Sequence, residues 1–165
     1  MNTAPEIIIK EAIVKEAPLV YSIMLQAFEA YDTKLEVPSS ATGETVENVV
    51  EIMKQGGALL AYEDTKAVGC ARYILKSDHL YVGRVSVLPT YRKRGIGLAL
   101  MRYFEQIAFR NGLREIRLGV RQSLPENQQF YLKRGYEVTL IEPHPRGNDT
   151  IIWMTFIMPK QPIIC

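Results

Sequence analysis

The stretch Val85–Leu100, "VSVLPTYRKRGIGLAL", constrains the fold more than any other part of the chain. Its alternating β-branched residues read as a strand, and Pro89 ends that strand. Arg92, Lys93 and Arg94 follow, then Gly95 and Gly97, then a long amphipathic run. A helix starting at Gly95 leaves its first backbone N–H groups without internal acceptors, and its aligned peptide dipoles add partial positive charge there. Glycine at 95 and 97 keeps Cβ atoms away from an approaching group. The turn is therefore either an anion site suited to a diphosphate or a tight strand-to-helix turn with a solvated basic rim.

The rest of the chain can be placed around this turn. "EIIIKEA" reads as a first strand, and "KEAPLVYSIMLQAFEAY" as a helix with Leu19, Ile23, Phe28 and Tyr31 on its apolar face. The polar, turn-rich "DTKLEVPSSATGE" leads to a second helix, "TVENVVEIMKQGG", stopped by Gly56 and Gly57. "ALLAYEDTKAVGCARYILKSDHLYVGRVSVL" divides into three strands at "EDTK" and "KSDH", an antiparallel meander. The helix after the basic turn presents Ile96, Leu100, Tyr103, Ile107 and Ala108 on one face and ends at "NG". "REIRLGV" is a fifth strand and "PENQQFYLKRG" a short helix. "YEVTLIE" and "TIIWMTFIM" close the chain as two strands, with Trp153 expected in the core. The order βααβββαβαββ predicts a mixed α/β fold of the α+β type, with about seven mostly antiparallel strands flanked by helices. Neither a repeat nor a linker interrupts it, so residues 1–165 read as one domain.

Composition narrows the function classes. A net charge of +2 is too small to argue for a nucleic-acid or anionic-membrane partner, so any functional positive charge is local. Cys70 and Cys165 show neither metal-ligand spacing nor a disulfide framework, so no metal and a reducing cytoplasm are expected. Glu6, Lys10, Glu11 and Lys15 interrupt the N-terminal apolar residues, unlike a signal peptide. No run approaches the ~18–20 apolar residues that a membrane span needs.

Two common phosphate motifs are excluded. A P-loop needs Lys-Ser/Thr after its last glycine, where this chain has Leu98 and Ala99. A dinucleotide-binding fingerprint needs a small residue at Leu100, and it opens a βαβ unit rather than following a meander.

"RKRGIG" is similar to the R/Q-x-x-G-x-G/A signature of the GNAT superfamily of acyl-CoA-dependent N-acyltransferases, in the same strand-to-helix register. "ENQQFYLKRGYE" resembles that family's later segment, a short helix whose tyrosine precedes Gly-Phe or Gly-Tyr by four residues. The likeness covers about Glu6 to Met158. It implies acetyl-CoA as acyl donor, an amine as acceptor, and a sheet splayed at the donor site. The pyrophosphate would lie on the N–H groups of Arg94, Gly95, Ile96, Gly97 and Leu98, with Arg92 or Lys93 near the phosphates. The pantetheine arm would pair with the backbone of Val85 and Val87 like an extra strand. Tyr131 would lie near the thioester sulfur and Asn127 near the pantetheine. Many members carry asparagine where this chain has Leu124, and Asn127 reads equally as a first-turn helix residue.

The implied reaction is direct attack by an amine on the thioester carbonyl. A lysine-like amine with pKa ~10.4 is mostly protonated at neutral pH, a deficit of about 4–5 kcal/mol. The oxyanion needs a donor, most simply a backbone N–H near Val85–Val87. The leaving thiolate needs an acid, the role the resemblance gives Tyr131. Glu29, Glu36, Glu142 and His144 are base candidates by position, and none is singled out. The acceptor groove would be bordered by "DTKLEVPSSATGE" and "PHPRGND", and the last strands could form a homodimer interface. A non-catalytic acyl-CoA-binding domain of the same fold is the alternative.

Overall fold

The expected order of elements is the order found. In the computed structural model, which describes residues 4–32, 35 and 39–159, the strands are β1 (Ile7–Glu11), β2 (Gly56–Glu63), β3 (Lys66–Leu75), β4 (Leu80–Val87), β5 (Glu115–Arg121), β6 (Glu137–Pro143) and β7 (Thr150–Ile157). The helices are α1 (Ala17–Asp32), α2 (Val46–Gln55), α3 (Ile96–Arg110) and α4 (Pro125–Lys133). Glu36, Cys165 and the Tyr31 side chain lie outside the described residues.

The seven strands form one sheet, ordered β1-β2-β3-β4-β5-β7-β6. All pairs are antiparallel except β4–β5, which share just two parallel rungs, Leu80 with Ile116 and Tyr81 with Arg117. Beyond Tyr81 these neighbours separate, and the sheet opens toward the C-terminal ends of both strands.

Alternation along the strands sends one set of side chains to each face. Leu59, Ala61, Val68, Leu80, Val82, Ile116, Leu118 and Met154 pack with Ile96, Leu100, Met101, Phe104 and Ile107 of α3 and Tyr131 of α4. On the other face Ala58, Leu60 and Cys70 meet Val20, Ile23 and Met24 of α1 and Val49 and Met53 of α2.

Three local expectations are corrected. Leu19 is exposed, and α1 buries Val20, Ile23, Met24 and Ala27 instead, a true i, i+3, i+4, i+7 stripe. In α3, Met101 and Phe104 enter the core, while Tyr103 stays half-buried and donates to Glu11 Oε2 at 3.0 Å. Gly56 and Gly57 do more than stop α2, because they are the first residues of β2. A Cβ on Gly56 would collide with the Tyr73 carbonyl of β3, so close backbone approach accounts for that glycine. The start of α2 is set by a capping box: Asn48 N–H donates to Thr45 Oγ1 at 3.3 Å and Thr45 N–H to Asn48 Oδ1 at 2.9 Å.

β6 is an edge strand exposed along its whole length, with Val138, Leu140 and Ile141 facing solvent. No described helix is long and apolar enough to cross a membrane.

Candidate active site

The basic–glycine turn leaves β4 through a 3-10 turn, Pro89–Tyr91, and reaches α3 through Lys93 and Gly95, both with positive φ. Gly95 is the N-cap at φ 87°, no side chain caps the helix, and the first intrahelical bond runs from Ala99 N–H to the Gly95 carbonyl at 3.0 Å. A Cβ on Gly95 would meet nothing within 4 Å, so the approach to the helix end is open. Gly97 differs. A Cβ there would stand 3.3 Å from Phe130 Cζ, so its smallness lets α4 lie against the first turn of α3.

The three basic residues have separate tasks. Arg92 turns inward, donating from Nε to the Val87 carbonyl and from Nη2 to the Ala27 carbonyl, both at 3.1 Å. Arg94 pairs with Glu63 at 2.8 Å and covers the Tyr91 ring. Lys93 is exposed. The full charge at the mouth therefore comes mainly from Lys93, with Arg92 holding strand and helix together.

The free edge of β4 has a specific origin. Between the Cys70–Ser86 and Arg72–Gly83 pairs, Arg84 and Val85 stand against Ala71 alone, and Arg84 adopts φ 52°. This bulge breaks the pairing and bends the strand away from β5. Leu88 N–H bonds back to Val68 at 2.9 Å, so alternation turns the backbone groups of Val87 outward.

An open cleft of about 950 Å³, mouth included, fills the gap between β4 and β5. It brings together Val85 of β4 with Asn127 and Tyr131 of α4, residues from two elements about forty positions apart in the chain. Leu124 also lines it. Tyr131 is buried, with Phe130 edge-on at 5.0 Å and Tyr136 edge-on at 5.6 Å. Tyr136 in turn stacks on Phe156 at 5.2 Å, so an aromatic series fixes the α4 ring.

Both segments expected to border the acceptor groove reach this cleft: Leu35, Ser39 and Ser40 on one side, His144 on the other. Trp153 corrects an expectation. Its neighbours Ile152 and Met154 enter the core, whereas its indole faces the cleft beside Tyr81 and donates to Glu142 Oε2 at 3.0 Å.

The base candidates separate on geometry. Glu29 is exposed on α1. Glu142 holds the Trp153 indole. Burial, then Arg121 and Arg146, lowers the His144 pKa, which favours a neutral ring. Its Nδ1 accepts from Arg146 N–H at 3.1 Å, which puts the neutral ring's proton on Nε2, so it presents a donor rather than a base.

Several residues here were not singled out in sequence. Arg121 and Asp149 form a largely buried pair at 3.3 Å, and Arg72, Glu44 and Arg84 form a cluster behind the bulge. Both arrangements join residues far apart in the chain.

The description "Acetyltransferase (GNAT) family" belongs to the family model that matches residues 20–136. The chain belongs to the GNAT family. The N-acetyltransferase YjcF of Bacillus subtilis (strain 168), itself uncharacterized, is 29% identical over 93 residues, which cover 56% of this chain and 64% of that protein. The match thus spans less than two thirds of that relative. The GNAT fold is equally clear against solved structures. The ribosomal-protein-S18-alanine N-acetyltransferase of Escherichia coli aligns with TM-score 0.76 and 17% identity over 97% of this chain and 99% of its own. A GNAT family acetyltransferase from Elizabethkingia anophelis with acetyl-CoA bound aligns with TM-score 0.72 and 19% identity, over 92% of this chain and 98% of its own.

Proposed function

We propose that the protein is an acetyl-CoA-dependent N-acetyltransferase. The observation that carries this reading is the bulged, unpaired edge of β4 facing a cleft that also holds Tyr131. The uncapped N-terminus of α3 suits the donor's diphosphate, held by the N–H groups of Arg94, Gly95, Ile96, Gly97 and Leu98, with Lys93 at the rim. Val85 and the Val87 N–H offer strand-like partners to the pantetheine amides, with Asn127 beside them.

In the reaction, the neutral amine attacks the thioester carbonyl and the oxyanion draws on a backbone N–H of the Val85–Val87 segment. The C–S bond then breaks, and Tyr131 gives its hydroxyl proton to the departing thiolate. The amine's proton passes to the water of the open cleft. The reading places the enzyme in a reducing cytoplasm. Burial pushes the unpaired Cys70 thiol up to about 12, so it is no competing nucleophile. The exposed β6 strand is the face a homodimer would use.

Thermal unfolding with acetyl-CoA, CoA and NAD tests the donor. A ligand at a hundred times its Kd stabilises by ~2.7 kcal/mol. For this size that raises the Tm by roughly 5–10 °C. A rise with both CoA ligands and none with NAD is expected, and no rise with CoA would refute the reading. Tyr131→Phe tests the chemistry: kcat should fall by about 10²- to 10⁴-fold while the CoA-induced rise persists. Unchanged kcat would remove Tyr131 from the mechanism.

A further inference from the structure

Behind the β4 bulge lies a recess lined by Ser40, Ile52, Arg72, Ile74, Tyr81 and Arg84. It shares Ser40, Tyr81, Arg84 and Gly119 with the cleft that holds Tyr131, so the two adjoin. The charged residues lining them are all of one sign: Arg72, Arg84 and Arg121, with no described lining residue that is Asp or Glu.

Arg121 is neutralised by Asp149 just outside the space. Arg72 and Arg84 are not neutralised in full, because both share the single carboxylate of Glu44. Arg72 reaches one Glu44 oxygen through Nη2, and Arg84 Nε stands 3.5 Å from the other. The side chains of Arg72, Arg84 and Glu44 are 9%, 25% and 15% exposed, so one positive charge remains over in a mostly buried place. Arg72 Nη1 is buried and has no hydrogen-bond partner. Arg84 donates to Ser40 Oγ at 2.7 Å and lies over the Phe28 ring. Burial lowers the Arg84 pKa, Glu44 opposes this, and Arg72 adds to it, as expected of a cation short of a counter-charge. Surplus buried charge is costly unless an anion meets it. The donor's phosphates are assigned elsewhere, to the turn between the end of β4 at Val87 and the start of α3 at Ile96.

We propose that the acetyl acceptor is a small amine bearing a carboxylate, which Arg84 and Arg72 hold in this recess. Guanidinium groups match a carboxylate through paired N–H donors. Phe28, Tyr81 and Trp153 give the acceptor's body an apolar, aromatic wall. The same charge disfavours lysine side chains and polyamines, whose second cation would meet the arginines. This inference rests on the acetyltransferase reading and names its acceptor class.

The test uses the full-length protein with acetyl-CoA and matched amines: phenylalanine with phenethylamine, tryptophan with tryptamine, leucine with isoamylamine. Thiol release gives kcat/KM, corrected for each amine's own protonation. The best carboxylate-bearing amine should exceed its decarboxylated counterpart by about 10- to 100-fold, the worth of a charged hydrogen-bonded contact. Arg84→Gln should shrink that ratio at least tenfold, and Arg84→Lys should restore part of it. The CoA-induced Tm rise of each variant reports that it is folded. Equal rates for the pairs, preference for the decarboxylated amines, or an Arg84→Gln ratio equal to wild type would each overturn the proposal. In that case the Arg72–Glu44–Arg84 cluster would only clamp the loop before α2. If no amine turns over, melting of the CoA-loaded protein with each pair decides. A rise that needs the carboxylate supports the proposal, and no such rise overturns it. A missing CoA rise would instead remove the acetyltransferase reading itself.

Discussion

Asp149 offers the sharpest test of how the cleft is held. Its side chain is 4% exposed and accepts from Arg121 Nη1 at 3.3 Å, Ser123 Oγ at 2.6 Å and its neighbour Thr150 N–H at 2.8 Å. One carboxylate thus ties the last hairpin to the end of β5 and the approach to α4. Asp149→Ala would take this counter-charge from Arg121, whose side chain is 14% exposed, in a poorly solvated place. Removing one partner of a buried pair costs about 3–5 kcal/mol, and the lower end applies because Arg121 keeps some access to water. At roughly 2–4 °C per kcal/mol for this size, about 3 kcal/mol lowers the Tm by roughly 6–12 °C. Asp149→Asn retains an acceptor and should cost about half as much.

The pH dependence is a second, independent check. Burial alone raises the Asp149 pKa, but the Ser123 hydroxyl, the Thr150 N–H and Arg121 outweigh it and hold the carboxyl below its ordinary value. A depressed carboxyl stabilises the fold above the unfolded pKa, ~3.9, and loses that contribution as pH falls through the folded value. The difference between wild type and Asp149→Asn should therefore be full at pH 7 and shrink below about pH 4. Glu11 and Asp78 are also depressed, so the difference between proteins matters, rather than the wild-type curve alone. Urea denaturation between pH 7 and pH 3 measures it. A variant as stable as wild type at pH 7, or a gap that does not shrink in acid, would refute the reasoning.

Arg92 and Lys93 should separate cleanly. Arg92→Ala loses the bonds to Val87 and Ala27 and should cost about 1–3 kcal/mol in urea denaturation. Lys93→Ala should stay within about 0.5 kcal/mol of wild type yet weaken CoA binding several-fold by calorimetry; the reverse pattern would exchange their roles. Gly97→Val would press a branched side chain on Phe130, one residue before Tyr131, and shift the acid rather than the donor. Its kcat should fall by roughly tenfold or more with little loss of Tm, because a small misplacement is enough to slow the chemistry; an unchanged kcat would show that α4 yields freely.

The parts of this fold that depend on neighbours in sequence were readable from it. Strand alternation and the glycine turn each report through a few adjacent residues. Adjacent Leu19 and Val20 are both apolar, so periodicity could not say which faces the sheet until β3 and β4 were in place. Trp153 failed for a related reason, since alternation assigns it to one side of β7 without saying whether a helix covers that side. The bulge at Arg84 leaves no mark in "LYVGRVSV", because an extra residue is defined only against the partner strand. Glu44 and Arg72 are 28 residues apart, and Asp149 sits in "GND", which reads simply as a turn.

The two-rung contact between β4 and β5 has a mechanical meaning. The sheet consists of two antiparallel halves, β1–β4 and β5–β7–β6, joined along a short seam. Such a seam is where hydrogen exchange opens first, independently of the two well-paired halves. A pantetheine arm lying in the gap would act as a missing strand and stitch the halves together from inside. Donor binding would then be a joint in the architecture as much as a step in the reaction, and amide protection would rise along β4 and β5 well away from the diphosphate turn.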